Sequence, residues 1–242
     1  MTEPIKILFL ASNPTDISRI RVDKELREVD ERISLGRHRD QFDLIPQTAV
    51  RPCDLRRALL RHEPHILHFS GHGSTTAGIV LEDDDGKTRV VSAADLTELL
   101  DILKDNLRVV VLNACYSALQ ASGIADAIDC VIGMNDKIGD RSAITFSAGF
   151  YESLAFGRSV EEAFRLGVND LKTNGTASAN IPTLLTRQGV DLGKVYLFSH
   201  EKPRDKKPPV RRKAPAPKPA GNKVMTFDRT NIKAEGDVNF SQ

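Results

Sequence analysis

The sequence predicts an α/β fold: a mostly parallel central sheet with helices on both faces, then an extended linker and a short strand-forming tail. Three observations predict it. Over residues 1–200, short apolar runs alternate with segments of helical periodicity, the order that βα units produce. Several of those runs are continuously apolar, as in strands covered on both faces. Beyond residue 200 the composition changes twice, first to proline and lysine, then to a strictly alternating pattern.

Each element has its own signal. "IKILFLA" (5–11) reads as the first strand. "ISRIRVDKELREVDERISL" (17–35) reads as a helix, with Ile20, Leu26, Val29 and Ile33 at helical spacing among charges. "FDLIPQ" (42–47) reads as a strand near an edge, because Pro46 lacks a ladder donor. A short helix follows at "DLRRALLRH" (54–62), then a strand at "HILHFS" (65–70). "GIVLED" and "RVVS" read as a hairpin, with "EDDDG" (82–86) as its solvated turn. "SAADLTELLDIL" (92–103) is a helix with Ser92 as cap and Asp95 in its first turn. "RVVVLNA" (108–114) and "CVIGM" (130–134) are strands. Helices are expected over about 141–156 and 159–172, the second opened by the capping box "SVEE". A final strand is expected around "KVYLF" (194–198).

The chain divides at 1–199, 200–223 and 224–242. The net charge of +1 conceals an asymmetry: residues 1–200 carry −5, residues 201–223 carry +7 and residues 224–242 carry −1. Residues 200–223 hold six of the twelve prolines, so an extended, coreless linker is expected. Nucleic-acid binding is the sharper reading of so basic a run, but the run has no aromatic residue for stacking and no folded context. From Ile232 the tail alternates with period two, Ile232, Ala234, Gly236, Val238 and Phe240 on one side. A lone strand must pair with something to satisfy its backbone, through strand addition or cross-β stacking, or remain disordered. Three cysteines form no disulfide framework and fit a reducing cytoplasm. No apolar stretch approaches membrane-helix length, and the N-terminus reads as a strand instead of a signal peptide.

Two strands end in reactive side chains. One finishes at Gly71-His72-Gly73, the other at Cys115 in "VVVLNACYS". Open parallel sheets form sites at the carboxyl ends of their strands. If these two strands are neighbours, His72 and Cys115 come into register, and an imidazole beside a thiol promotes the nucleophilic thiolate. Gly71 and Gly73 then give a substrate backbone clearance. The N–H groups of Gly73 and Cys115 become candidate oxyanion donors. Taken singly, each residue has a bland reading: a strand-end cysteine as a small hydrophobe, a histidine as a capping group. Zinc is a further reading of the cluster His65, His68 and His72, weakened because His65 and His68, three apart on a strand, face opposite sides. "GHGSTTAG" lacks the lysine of a P-loop and the G-x-G-x-x-G fingerprint, so no cofactor is expected.

The pair "HFSGHG" and, 43 residues after His72, "VVLNACYS" resembles the His and Cys motifs of CHAT-type caspase-like peptidases. "IKILFLASNP", the "GM" at 133–134 and "SAGFYESLAFGRSVEEAF" (147–164) are similar to that family too, over about residues 4–199. The resemblance implies a caspase-like α/β/α sandwich and a Cys-His dyad peptidase, with His72 and Cys115 as the catalytic pair. The context "NACYS" departs from that of caspases proper, so aspartate specificity is not implied. In basic-specific members of the clan an acid lines the substrate pocket; Asp136 and Asp140 stand where such an acid could sit. The tail "TNIKAEGDVNFSQ" is similar to amyloid-signalling motifs of bacterial cell-death effectors through Asn231, Ile232, Gly236 and Val238. That implies self-assembly through the tail and an NLR-like receptor with a matching motif as partner, in regulated cell death or antiphage defence. The competing reading is a catalytically silent caspase-like adaptor recruited through the same tail.

Overall fold

The apolar run at its start places β1 (Ile5–Ala11) deep inside the sheet, and helical crossovers set the other strands beside it. The structure, a computed structural model, describes residues 3–74 and 78–198. In chain order there follow α1 (Val22–Ser34), β2 (Phe42–Thr48), α2 (Pro52–His62), β3 (Ile66–Ser70), β4 (Gly73–Ser74), β5 (Gly78–Glu82) and β6 (Thr88–Val91). Then come α3 (Ala93–Ile102), β7 (Val109–Asn113), α4 (Ala118–Ile124), β8 (Cys130–Met134), α5 (Asp140–Ala155), α6 (Val160–Thr173) and β9 (Pro182–Thr186). The main sheet has the order β2-β1-β3-β7-β8-β9. Every pairing in it is parallel except β8 with β9. β4, β5 and β6 form a small antiparallel sheet directly after β3.

Period-two alternation along buried strands sends side chains to two cores. Ile7 and Phe9 of β1, Ile66 of β3 and Val109 and Val111 of β7 pack against α1, α5 and α6. Leu8 and Leu10, Leu67 and Phe69, Val110 and Leu112 pack against α2, α3 and α4. The result is an α/β/α sandwich. Each fully buried aliphatic or phenyl side chain contributes roughly 2 kcal/mol relative to exposure. The Ser92 hydroxyl accepts from Asp95 N at 3.1 Å, and Ser159 and Glu162 form the reciprocal capping box. Such caps contribute about 1 kcal/mol each. Pro46 sits in β2 at the sheet edge, where its missing donor is tolerated.

Two expectations need correction. The first helix starts at Val22, not at residue 17. The Asn13 carboxamide grips Ile20 through both its N–H (3.2 Å) and its carbonyl (3.0 Å), which closes residues 13–20 into a loop. The expected strand at 194–198 is absent. The last strand is β9, at Pro182–Thr186, antiparallel to β8. The "VYLF" run packs as a coil instead: Val195 is buried, its carbonyl accepts from Val160 N at the start of α6, and Phe198 meets His38 and Phe42. No helix among the described residues is long and apolar enough to cross a membrane. The expected linker (200–223) and tail (224–242), with Asn231, Ile232, Gly236, Val238 and Phe240, lie outside the described residues.

Candidate active site

β3 and β7 are adjacent, and Ser70 pairs with Asn113 at their carboxyl ends. His72 and Cys115 each lie two residues beyond that pair, and both line one cleft with a volume of about 40 Å³. The two loops are packed against each other. A Cβ at Gly73 would overlap the Cys115 carbonyl, and one at Gly71 would lie 2.5 Å from the Phe69 ring. The glycines therefore make room for the protein's own chain, which corrects the expectation that they clear space for a substrate backbone.

His72 has a defined orientation. Its Nε2–H donates to the Ser18 carbonyl at 2.8 Å, so in the neutral ring Nδ1 carries the free lone pair. Ser18 belongs to the β1–α1 loop, and that loop is pinned to the β5–β6 hairpin. Thr15 N donates to Gly86 O at 2.9 Å, and Thr88 donates to Asp16 through both N and Oγ1 at 2.9 Å. Asn13 N donates to Glu82 Oε1 at 2.9 Å.

Cys115 is half-buried, with its thiol 3.7 Å from the Ile138 carbonyl. Tyr116 follows at φ 60°, a left-handed conformation that costs a non-glycine residue about 1 kcal/mol. The bend is held by Ser117, whose hydroxyl donates to Leu112 O at 2.6 Å and accepts from Met134 N at 3.0 Å. Among the described residues no carbonyl accepts from the Cys115 N–H. Gly73 occupies a non-hydrogen-bonded position opposite Ile79, since the ladder there uses the His72 carbonyl and Val80 N. Its N–H points away from β5. The other cysteines differ: Cys53 is exposed, while burial pushes the Cys130 thiol up to about 12.

The two candidate pocket acids part company. Asp140 opens α5, lines the cleft and accepts from Arg21 N at 3.1 Å. Asp136 is exposed and outside that lining; it accepts from Lys137 N at 2.6 Å and from the Tyr116 hydroxyl, which holds the phenol above its ordinary pKa.

A third acid was not foreseen. Glu25 of α1 is 3% exposed and forms the cleft floor with Ser70 and Asn113. Its Oε1 accepts from His68 Nε2 (3.0 Å), Asn113 Nδ2 (2.5 Å) and Ser147 Oγ (2.7 Å); its Oε2 accepts from Ser70 Oγ (2.6 Å). Burial alone would raise this carboxyl, but the bonds from His68, Ser70 and Ser147 outweigh it and hold its pKa below the ordinary value. Tyr151, fully buried and with its phenol pushed well up by burial, lies 3.1 Å from His68 Nδ1. Two signals in the sequence mark this network. Glu25 falls within the apolar stripe of α1, three residues after Val22 and four before Val29. His68, Ser70 and Asn113 occupy the same inward parity as Ile66 and Val111. The histidines weighed for zinc are dispersed: His65 Nδ1 accepts from Lys6 N at 3.1 Å, and His68 is enclosed by Glu25 and Tyr151.

The family model of the CHAT domain matches residues 21–176. The chain belongs to the CHAT domain family. Two curated relatives match this CHAT chain at 26% identity: a Roc-COR-CHAT protease from an unknown prokaryotic organism, over 174 residues, and a probable protease from Gillisia limnaea, over 172. Each alignment covers 69% of this chain, but only 16% and 30% of the respective relative, so the CHAT chain spans under a third of either. Among solved structures, the Arg-specific cysteine proteinase gingipain R superposes with a TM-score of 0.55 at 10% identity, covering 77% of this chain and 47% of that one. That likeness is one of fold, and it agrees with the caspase-like sandwich that the motifs imply.

Proposed function

We propose that the protein is a cysteine endopeptidase with Cys115 as nucleophile and His72 as general base and acid. The observation that carries this reading is their shared cleft at the carboxyl ends of β3 and β7 in a CHAT chain whose relatives are named proteases. His72 Nδ1 takes the Cys115 proton, while the Ser18 carbonyl holds the ring by its Nε2–H. The thiolate attacks the scissile carbonyl. The N–H groups of Gly73 and Cys115 receive the developing oxyanion, a role worth about 10²–10³-fold per donor. His72 then protonates the leaving amine, and water hydrolyses the thioester. Cys115→Ala should lower cleavage of a peptide library by at least about 10³-fold with an unchanged melting temperature. Cleavage that survives in this variant removes Cys115 from the role.

The tail gives the reading its cellular frame. Residues 224–242 recruit the enzyme into a templated assembly, seeded by a receptor with a matching motif, and concentrate it on its protein substrates. The setting is bacterial cell death or antiphage defence in the cytoplasm. Thioflavin-positive fibres of a peptide spanning 224–242 are expected. A peptide that stays monomeric with and without a seeding motif refutes templating.

A further inference from the structure

Two clefts far from His72 and Cys115 carry opposite charge. The first lies on α6. That helix turns Ala163, Gly167 and Leu171 into the core. Its solvent side holds a cleft of about 580 Å³ that includes Arg158, Arg165, Leu166, Asn169 and Lys172, with Glu162 as the one acid of the lining. Arg158 faces Glu162 at 3.6 Å, whereas Arg165 and Lys172 have no ion pair among the described residues. Leu166 is 45% exposed between these cations in the sequence.

The second cleft is the groove between α3 and α4, of about 560 Å³. Glu98 and Asp101 line it from α3 and Asp126 from just beyond α4, and no lysine or arginine does. Asp101 is met by Lys104 at 2.6 Å, while Glu98 and Asp126 have no ion pair among the described residues. The rest of the lining is short: Ala93, Ala94, Thr97, Gly123 and Ala127. The two helices run so close that a Cβ at Gly123 would lie 3.0 Å from Thr97 Oγ1. A groove walled by short side chains can receive the ridge of another helix.

α6 belongs to one face of the sheet, and α3 with α4 to the other. Within one molecule the sheet keeps the basic helix and the acidic groove apart, but two copies can join them. We propose that they form a self-association interface, with α6 of one copy seated in the α3–α4 groove of the next. Leu166 lies over the short side chains, and Arg165 and Lys172 meet the carboxylates of the groove. A second copy is the occupant because each surface supplies what the other lacks: a projecting basic helix and a receiving acidic groove. The contact joins unlike patches on opposite faces, so each added copy leaves one free patch at either end and the stack stays open. One helix in one groove is a small interface, so the association is weak and sensitive to salt.

The test uses the full chain and two double variants at exposed positions. Arg165→Glu with Lys172→Glu removes the basic end, and Glu98→Gln with Asp126→Asn removes the acidic end. In sedimentation velocity at low salt, the mass of the wild type should rise past the dimer as its concentration approaches about 300 µM, and fall back in about 0.5 M salt. Each variant alone should need at least about tenfold more protein to associate. An equimolar mixture should form 1:1 dimers and nothing larger, because each variant keeps the end that the other has lost. A wild type that stays monomeric overturns the inference. So does association that both variants retain, which would place the contact in residues 224–242 or on another surface, and so does a mixture without dimers. Should a variant fail to fold, zero-length carbodiimide coupling of mixed light and heavy wild-type protein decides. A light-to-heavy link from Lys172 to Glu98, Asp101 or Asp126 supports the interface, and intermolecular links that exclude all three refute it.

Discussion

The two faces of the central sheet are built from the same strands yet differ in kind. β3 sends Leu67 and Phe69 into a wholly apolar layer under α2, α3 and α4. The same five residues send His68 and Ser70 the other way, where with Asn113 they meet Glu25, Ser147 and Tyr151. On that face each strand begins apolar, with Ile66 and Val109, and the polar residues follow, His68 at the middle of β3 and Ser70 and Asn113 at the carboxyl ends beneath the cleft. One face supplies cohesion. The other gives up some apolar burial for a fixed charge placed where the loops of His72 and Cys115 begin.

The sharpest way to break this contrast is Phe69→Ala. The ring is 1% exposed and also fills the space beside Gly71, so about 4 kcal/mol of stability should be lost, equally at pH 4 and pH 7. A urea titration at both pH values measures it, and a strongly pH-dependent loss would show that the apolar face is coupled to charge. His68→Phe is the matching change on the polar face. It keeps the stacking surface against Phe9 but strips Glu25 of a donor, and should destabilise by about 3 kcal/mol at pH 7. Here the loss should shrink in acid, as Glu25 protonates; a constant loss means the carboxylate is not the reason. The smallest effect is the pH profile itself. A carboxyl whose folded pKa is depressed adds stability above its unfolded value, near 4.5, and that stability disappears as pH falls through the folded value. Wild type should therefore lose stability below about pH 4.5 faster than Glu25→Gln, and parallel acid limbs would contradict the depressed pKa.

Much of this was legible in the sequence. The strands at 5–11, 66–70, 109–113 and 130–134 announce themselves because burial on both faces demands uninterrupted apolar runs. Ser92 and Ser159 mark helix starts because their partners lie three residues away, within local reach. His72 and Cys115 stand out because each follows such a strand directly. β9 escaped notice because an edge strand opening with Pro182 has a short, half-buried pattern, while the more apolar 194–198 competes with it. Glu25 was hidden by its neighbours: in "DKELREVDER" an acid looks like one more solvated charge, and only tertiary contacts with β3, β7 and α5 reveal that it points inward.

The pinned β1–α1 loop has a consequence in time. The carbonyl that aims the His72 ring reaches its place only when Thr15 and Asp16 have found Gly86 and Thr88, about seventy residues away along the chain. Contacts of such long range carry a loop-closure entropy cost that local contacts do not. A chain in which those contacts are open carries the Cys115 thiol without the carbonyl that orients the imidazole beside it.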